Sequence, residues 1–277
     1  MSSIRATHLL GALPILWGSP AVAQDRFFPA VRSFELPEAS PRVHGMVGRV
    51  ISARRGDSRF GEEREAEAVL GENFPVVALR RGERPIVLGF GSQVYGRFSL
   101  ADGKSSLISI DWLASLNATA MLGAWGLTLE LLHESSHLGD EYGERFQISR
   151  LDWTREVLTG WAAYGTAQWR FTVGASYVFQ DGLNLPKPAA ALGIDYRGRT
   201  PPGGVASLQP VVGLFTEATS ATSWRMSSSA KVGMAWVTPG RNRQVSMALI
   251  AHDGLSTQRQ FFRQQSQYLG FEVRFDL

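Results

Sequence analysis

The chain ends in Phe271-Glu272-Val273-Arg274-Phe275-Asp276-Leu277, where apolar and charged residues alternate without a break. Successive side chains of a β-strand point to opposite faces. Phe271, Val273, Phe275 and Leu277 therefore line one side, and Glu272, Arg274 and Asp276 the other. The wall of a lipid-embedded barrel meets both demands, because its outside accepts only apolar groups while its lumen can be wet and charged. The last strand of a soluble β-sandwich alternates in the same way, so the choice between them rests on what lies upstream.

Upstream the patterning repeats. From Pro41 onward, stretches of roughly 10 to 15 residues alternate apolar with polar positions between clusters of Gly, Asp, Asn and Pro, and a helical period is mostly missing. The cuts fall at 42–54, 67–80, 85–99, 106–121, 126–137, 145–164, 168–180, 188–198, 206–218, 223–238, 243–253 and 265–277, an even count of twelve. Arg81-Gly82-Glu83-Arg84, Gly123-Ala124-Trp125-Gly126 and Pro239-Gly240-Arg241-Asn242 are tight turns, whereas the alternate connections at 55–66, 138–144, 181–187 and 254–264 are longer or more polar. Short turns at one end and long loops at the other are the asymmetry of an outer-membrane barrel, although Thr200-Pro201-Pro202-Gly203-Gly204 is longer than that rule prefers. The expected fold is all-β: a single antiparallel transmembrane β-barrel of about 12 strands over residues 42–277. Its final segment resembles the strand that outer-membrane proteins present to the barrel-assembly machinery, which usually closes on Phe or Trp where this chain has Leu277.

The N-terminus has the form of a signal peptide over 1–23: Arg5 and His8, then an apolar stretch from Leu9 to Trp17, then Ala21-Val22-Ala23 before Gln24. That stretch is too short to span a bilayer as a helix, and Pro14 interrupts it. Residues 24–41 are then a periplasmic segment ahead of the barrel, and export to the bacterial outer membrane, among its lipids, is expected. The 277 residues include no cysteine, which removes disulfides, thiolate metal sites and a cysteine nucleophile. Lys plus Arg number 28 against 25 Asp plus Glu and form no basic stripe, so nucleic acid is not an expected partner.

One stretch could carry chemistry: Leu131-Leu132-His133-Glu134-Ser135-Ser136-His137-Leu138-Gly139-Asp140-Glu141. Read literally, His133-Glu134-Ser135-Ser136-His137 is the H-E-x-x-H motif of zinc hydrolases, which needs a helix to bring both imidazoles to one ion. On a strand the two histidines lie roughly 13 Å apart and share no metal, whereas a helix, which can also be drawn through Leu127, Leu131 and Leu132, would keep a zinc hydrolase as an alternative. Strand parity groups Leu127, Leu129, Leu131, His133 and Ser135 on one face, near the outer rim of the apolar belt if this segment runs outward. A structural reading places Glu130, Glu134, Arg150, Asp152 and Glu156 in the lumen as a paired charge network that could plug a pore or brace a scaffold. No metal ligand set is assigned.

The outward His133 and Ser135 resemble the His-x-Ser pair of the outer-membrane phospholipase A family, twelve-stranded barrels in which Ser attacks a lipid ester and His takes its proton. In that family an Asn on the neighbouring strand, twelve residues after the Ser, orients the His. The resemblance puts Gln147 in that role and implies calcium as cofactor, although Ser136-His137 stands here where the family has Asn-Gly. The chain also resembles a family of uncharacterised bacterial outer-membrane proteins, domain of unknown function 1207. That likeness lies in Phe28-Pro29 to Pro41-Arg42, in His133 to Glu141, where the family form has Gln in place of Glu134, and in Thr154-Arg155-Glu156. It implies one barrel over the mature chain and names no activity.

Overall fold

The computed structural model describes residues 26–29, 34–55, 64–81, 84–101, 103–199, 206–237 and 244–276. The expected signal peptide over 1–23, most of the 55–66 loop and Leu277 lie outside the described residues. Twelve strands follow in sequence order: β1 (Met46–Arg55), β2 (Arg64–Arg81), β3 (Arg84–Ser99), β4 (Leu107–Leu122), β5 (Trp125–Leu138), β6 (Trp153–Gly165), β7 (Trp169–Asp181), β8 (Pro188–Arg197), β9 (Ser207–Thr219), β10 (Met226–Val237), β11 (Gln244–Leu255) and β12 (Gln265–Asp276). Each pairs antiparallel with its neighbours, and β12 returns to β1 with Phe271 opposite Val50 and Phe275 opposite Met46, which closes the barrel. Closure lets adjacent strands satisfy one another's backbone groups, as a lipid-embedded sheet requires. A two-residue strand, Arg26–Phe27, adds to β2 near its turn into β3.

The C-terminal alternation is realised as read. Phe271 and Phe275 face out, while Glu272, Arg274 and Asp276 are buried inside. The same division holds around the wall, where Leu116, Leu129, Leu158, Leu192, Leu214 and Leu249 are exposed. Inward charges are stable only if paired. Arg49 lies between Glu67 and Glu272, Arg97 reaches Glu65 at 2.6 Å, and Lys231 reaches Glu272 at 2.7 Å.

The lumen holds two further pieces of chain. Residues 34–45, partly within the segment expected outside the barrel, run inside it. Asn73 Nδ2 donates to the carbonyl of Phe34, Arg170 to those of Glu35 and Leu36, and Tyr95 Oη to that of Val43. Glu38 receives Arg197, Lys231 at 3.2 Å and Arg274 at 3.3 Å. These three cations outweigh the burial that would raise the Glu38 carboxyl, and hold it well below the usual range. From the long-loop end, the β11–β12 connection folds in to meet this segment: Arg42 donates to Asp111 and to the carbonyl of Thr257. Gln258 of the same connection bonds Ser109 and Glu67.

One expected strand is corrected. The segment read as 145–164 begins only at Trp153, because a helix α1 (Asp140–Phe146) and an irregular stretch precede it. Gly139 starts the departure: a Cβ there would sit 1.8 Å from the carbonyl oxygen of Leu107, so only glycine fits. Tyr142 then buries between Phe146 and Phe261. Parity cannot be carried across such a break, and the faces assigned to β6 come out reversed. Trp153 and Arg155 are buried inside, Thr154 and Glu156 lie on the outer face, and Arg150 and Asp152 are exposed in the connection. Of the expected lumen network, only Glu130 and Glu134 are inside.

Candidate functional site

His133-Glu134-Ser135-Ser136-His137 lies on β5, and consecutive residues take opposite sides of the wall. The motif cannot form a zinc site: its histidines lie roughly 13 Å apart on one outer face, and its Glu faces the lumen. Glu134 is 2% exposed, accepts from Trp153 Nε1 at 3.0 Å and Arg259 Nε at 2.7 Å, and so ties β5 to the β11–β12 connection. Ser136 Oγ donates to Asp111. Glu130 accepts a longer bond from Trp161 Nε1, at 3.4 Å.

The outer face carries a different set. In the β5–β6 ladder His133 is directly opposite Glu156, and Ser135 is opposite Thr154. His133 Nδ1–H donates to Glu156 Oε1 at 2.6 Å. A carboxylate on Nδ1 fixes the tautomer that leaves the Nε2 lone pair free. The His133 and Glu156 side chains are 47% and 26% exposed, so the pair sits at the surface. Ser135 is half-buried two positions further out on the same face, with no hydrogen-bond partner for its hydroxyl among the described residues. On the other side, β4 sets Ala114 opposite His133 and the exposed Trp112 opposite Ser135.

Gln147 is not part of this set. It is the C-cap of α1, in the left-handed region at φ 52°, and its amide nitrogen donates to the carbonyl of Glu144 at 2.7 Å. The residue the ladder brings to His133 is Glu156. The sequence signal for it was the tight stop at Gly139-Asp140-Glu141: with the strand ended there, pairing must be counted back from the next strand rather than forward from Ser135.

The phospholipase resemblance implies calcium, an ion that takes oxygen ligands from carboxylates, carbonyls and water. Among the described residues no three His, Cys, Asp or Glu side chains converge to hold a metal. Glu156 is engaged by His133, and Glu141 accepts from Ser106 at 3.1 Å.

Residues 33–277 match the model of a family described as protein of unknown function, DUF1207. No curated protein matches the chain. Among solved structures, the outer membrane phospholipase A of Escherichia coli superposes with a TM-score of 0.58 at 12% identity, over 87% of this chain and 94% of that one. The Salmonella typhi outer membrane phospholipase dimer with bound calcium gives 0.57 at 14% identity, over 88% and 92%. LpxR from Salmonella typhimurium aligns at 0.43 and 8% identity, over 84% of this chain and all of its own. At such identities the first two comparisons establish a shared barrel fold and nothing finer.

Proposed function

The chain belongs to the DUF1207 family, whose activity is not established, and from that premise we propose that it is an outer-membrane lipid acyl hydrolase using Ser135, His133 and Glu156. The observation that carries the reading is the 2.6 Å bond from His133 to Glu156 on the outer wall, two residues along β5 from Ser135, whose hydroxyl has no partner among the described residues. A charged carboxylate and an imidazole spaced this way on an apolar surface do little for the fold, since partly exposed pairs stabilise weakly. They do what a general base needs.

The steps follow from the roles. Ser135 Oγ attacks the carbonyl carbon of a lipid ester while His133 Nε2 takes its proton, and Glu156 stabilises the imidazolium. The tetrahedral intermediate collapses by breaking the ester C–O bond, and the protonated His133 returns its proton to the departing alcohol. Water, deprotonated by His133, then attacks the acyl-Ser135 and releases the fatty acid. No step is routed through calcium.

The alternative of an open pore has less support. Residues 34–45 and the β11–β12 connection occupy the lumen, and a cavity of about 190 Å³ is left beside them. The test is fatty-acid release from phospholipid vesicles by the purified barrel, its folding checked by heat-modifiable migration. Ser135→Ala and His133→Ala should each abolish release; activity surviving in both would refute the proposal.

A further inference from the structure

The second histidine of the motif has no zinc to bind and no part in the steps above, yet its position is specific. His137 lies on the outer face of β5, two residues beyond Ser135, as His133 lies two residues before it. Ser135 therefore has an imidazole on either side, each displaced by about 6.6 Å of strand rise. His133 is bonded to Glu156, whereas the half-buried ring of His137 has no hydrogen-bond or ion-pair partner among the described residues. Its strand neighbour is Ile110 on β4, and β6 pairs with β5 only as far as Ser136. On the β6 side no ladder residue stands opposite the ring.

Direction decides what could occupy that flank. Along β5 the outer residues run Leu127, Leu129, Leu131, His133, Ser135 and His137, from the apolar belt toward the long-loop end. An acyl chain lying against the leucines brings its ester to Ser135 and its headgroup to His137. In a glycerophospholipid the phosphate is one glycerol unit beyond the ester, on the side toward water. An imidazole N–H is a suitable donor to a phosphate oxygen, and charge-assisted bonds of this kind are the stronger class.

We propose, resting on the acyl-hydrolase reading, that His137 binds the headgroup phosphate and that the substrate is a glycerophospholipid rather than a neutral acylglycerol. The same contact could come from a phosphorylated acyl glycolipid, so the experiment carries three lipids.

Ser135→Ala protein, which cannot turn over, is titrated calorimetrically in a neutral maltoside detergent with dihexanoylphosphatidylglycerol, dihexanoylglycerol and a phosphorylated, acylated glucosamine disaccharide. Adding His137→Ala should weaken phosphatidylglycerol binding about tenfold, the loss of one such bond, and leave dihexanoylglycerol within about twofold. His137→Gln, which keeps an N–H donor, should recover part of the loss. Equal weakening for the phosphorylated and neutral glycerolipids would show a merely structural role and overturn the proposal, as would no saturable phosphatidylglycerol binding by Ser135→Ala. Loss confined to the glycolipid would overturn the glycerophospholipid assignment. The acyl-hydrolase reading is judged separately, by fatty-acid release from protein that retains Ser135, so either can fail without the other.

Discussion

Replacing Glu156 separates the arrangement seen here from the one that the phospholipase resemblance suggested. The carboxylate accepts the His133 Nδ1–H at 2.6 Å, a charge-assisted bond. Such bonds contribute about 1.5–3 kcal/mol, against about 0.5–1.5 for neutral ones. Glu156→Gln can accept that proton through its amide oxygen, and in that orientation the tautomer is kept and only the charge is lost. The difference of about 1.4 kcal/mol corresponds to roughly a tenfold fall in kcat. Glu156→Ala removes the acceptor altogether, frees the ring to rotate and adopt the wrong tautomer, and should cost about 100- to 1000-fold. The site is partly exposed, which places both figures toward the lower end of their ranges. The assay is initial-rate release of fatty acid from phospholipid in mixed micelles, with kcat and KM determined separately because a positioning loss falls on kcat. Gln147→Ala, at the cap of α1, is the control and should change kcat by less than about twofold. If Gln147→Ala is the damaging change and Glu156→Ala keeps more than a third of wild-type kcat, the assignment of the third group is wrong.

The same structure commits to further outcomes. Gly139→Ala puts a Cβ 1.8 Å from a backbone oxygen that cannot yield cheaply; it should destabilise the barrel by about 3 kcal/mol in urea unfolding, and a loss below about 1 kcal/mol would contradict the close approach. In planar bilayers the wild-type protein should show no steady conductance, whereas deletion of residues 34–43 should produce discrete steps; equal conductance from both would mean that this segment does not fill the lumen. His44 responds to acid. Burial, with Arg274 nearby, lowers it from 6.5 to about 4, so docking of the inserted segment is independent of this group above pH 6.5. It weakens progressively down to pH 4, by up to about 3 kcal/mol. The neighbouring Glu38, held low, stays charged across that window. Limited proteolysis within 34–45 should therefore rise between pH 6.5 and 4.5 in wild type and stay flat in His44→Gln, and a flat wild-type profile would remove His44 from the account.

The barrel was legible because its signal is local and repeated. Every strand must keep lipid on one side, so the two-residue alternation at Phe271–Phe275 recurs from β1 to β12, and the misplaced boundary fell where another constraint intervened. Asp140 and Glu141 in a first turn and Arg145 in a last one suit a helix dipole. In a chain otherwise made of strands, Arg145 and Phe146 at the end of that helix and the irregular residues 147–152 were absorbed into the following strand, and Glu156 was sent to the wrong face. The lumen filling was less visible for a different reason. Glu38 and Arg42 look like polar linker residues, and their roles depend on Lys231, Arg274 and Asp111, 193, 236 and 69 residues away. What the strands did reveal was a demand, since inward Arg49, Arg97, Lys231 and Arg274 on a narrow barrel require partners from somewhere.

That filling bears on the outer site. A single sheet layer separates Ser135 from the lumen, and the neighbours of Ser135 in the chain are both fastened on the inner side. Glu134 is held by Arg259, and the carbonyl of Ser136 accepts from Gln260 Nε2 at 3.0 Å. Both anchors belong to the β11–β12 connection, which Arg42 of the N-terminal segment ties in turn through Thr257. A nucleophile and base must be held to within a fraction of an ångström, and on a thin wall only packing from behind can do that. On the acyl-hydrolase reading, the lumen elements brace the outer face as well as fill the barrel. Arg259→Ala, which touches nothing on the lipid side, should lower kcat several-fold without raising KM.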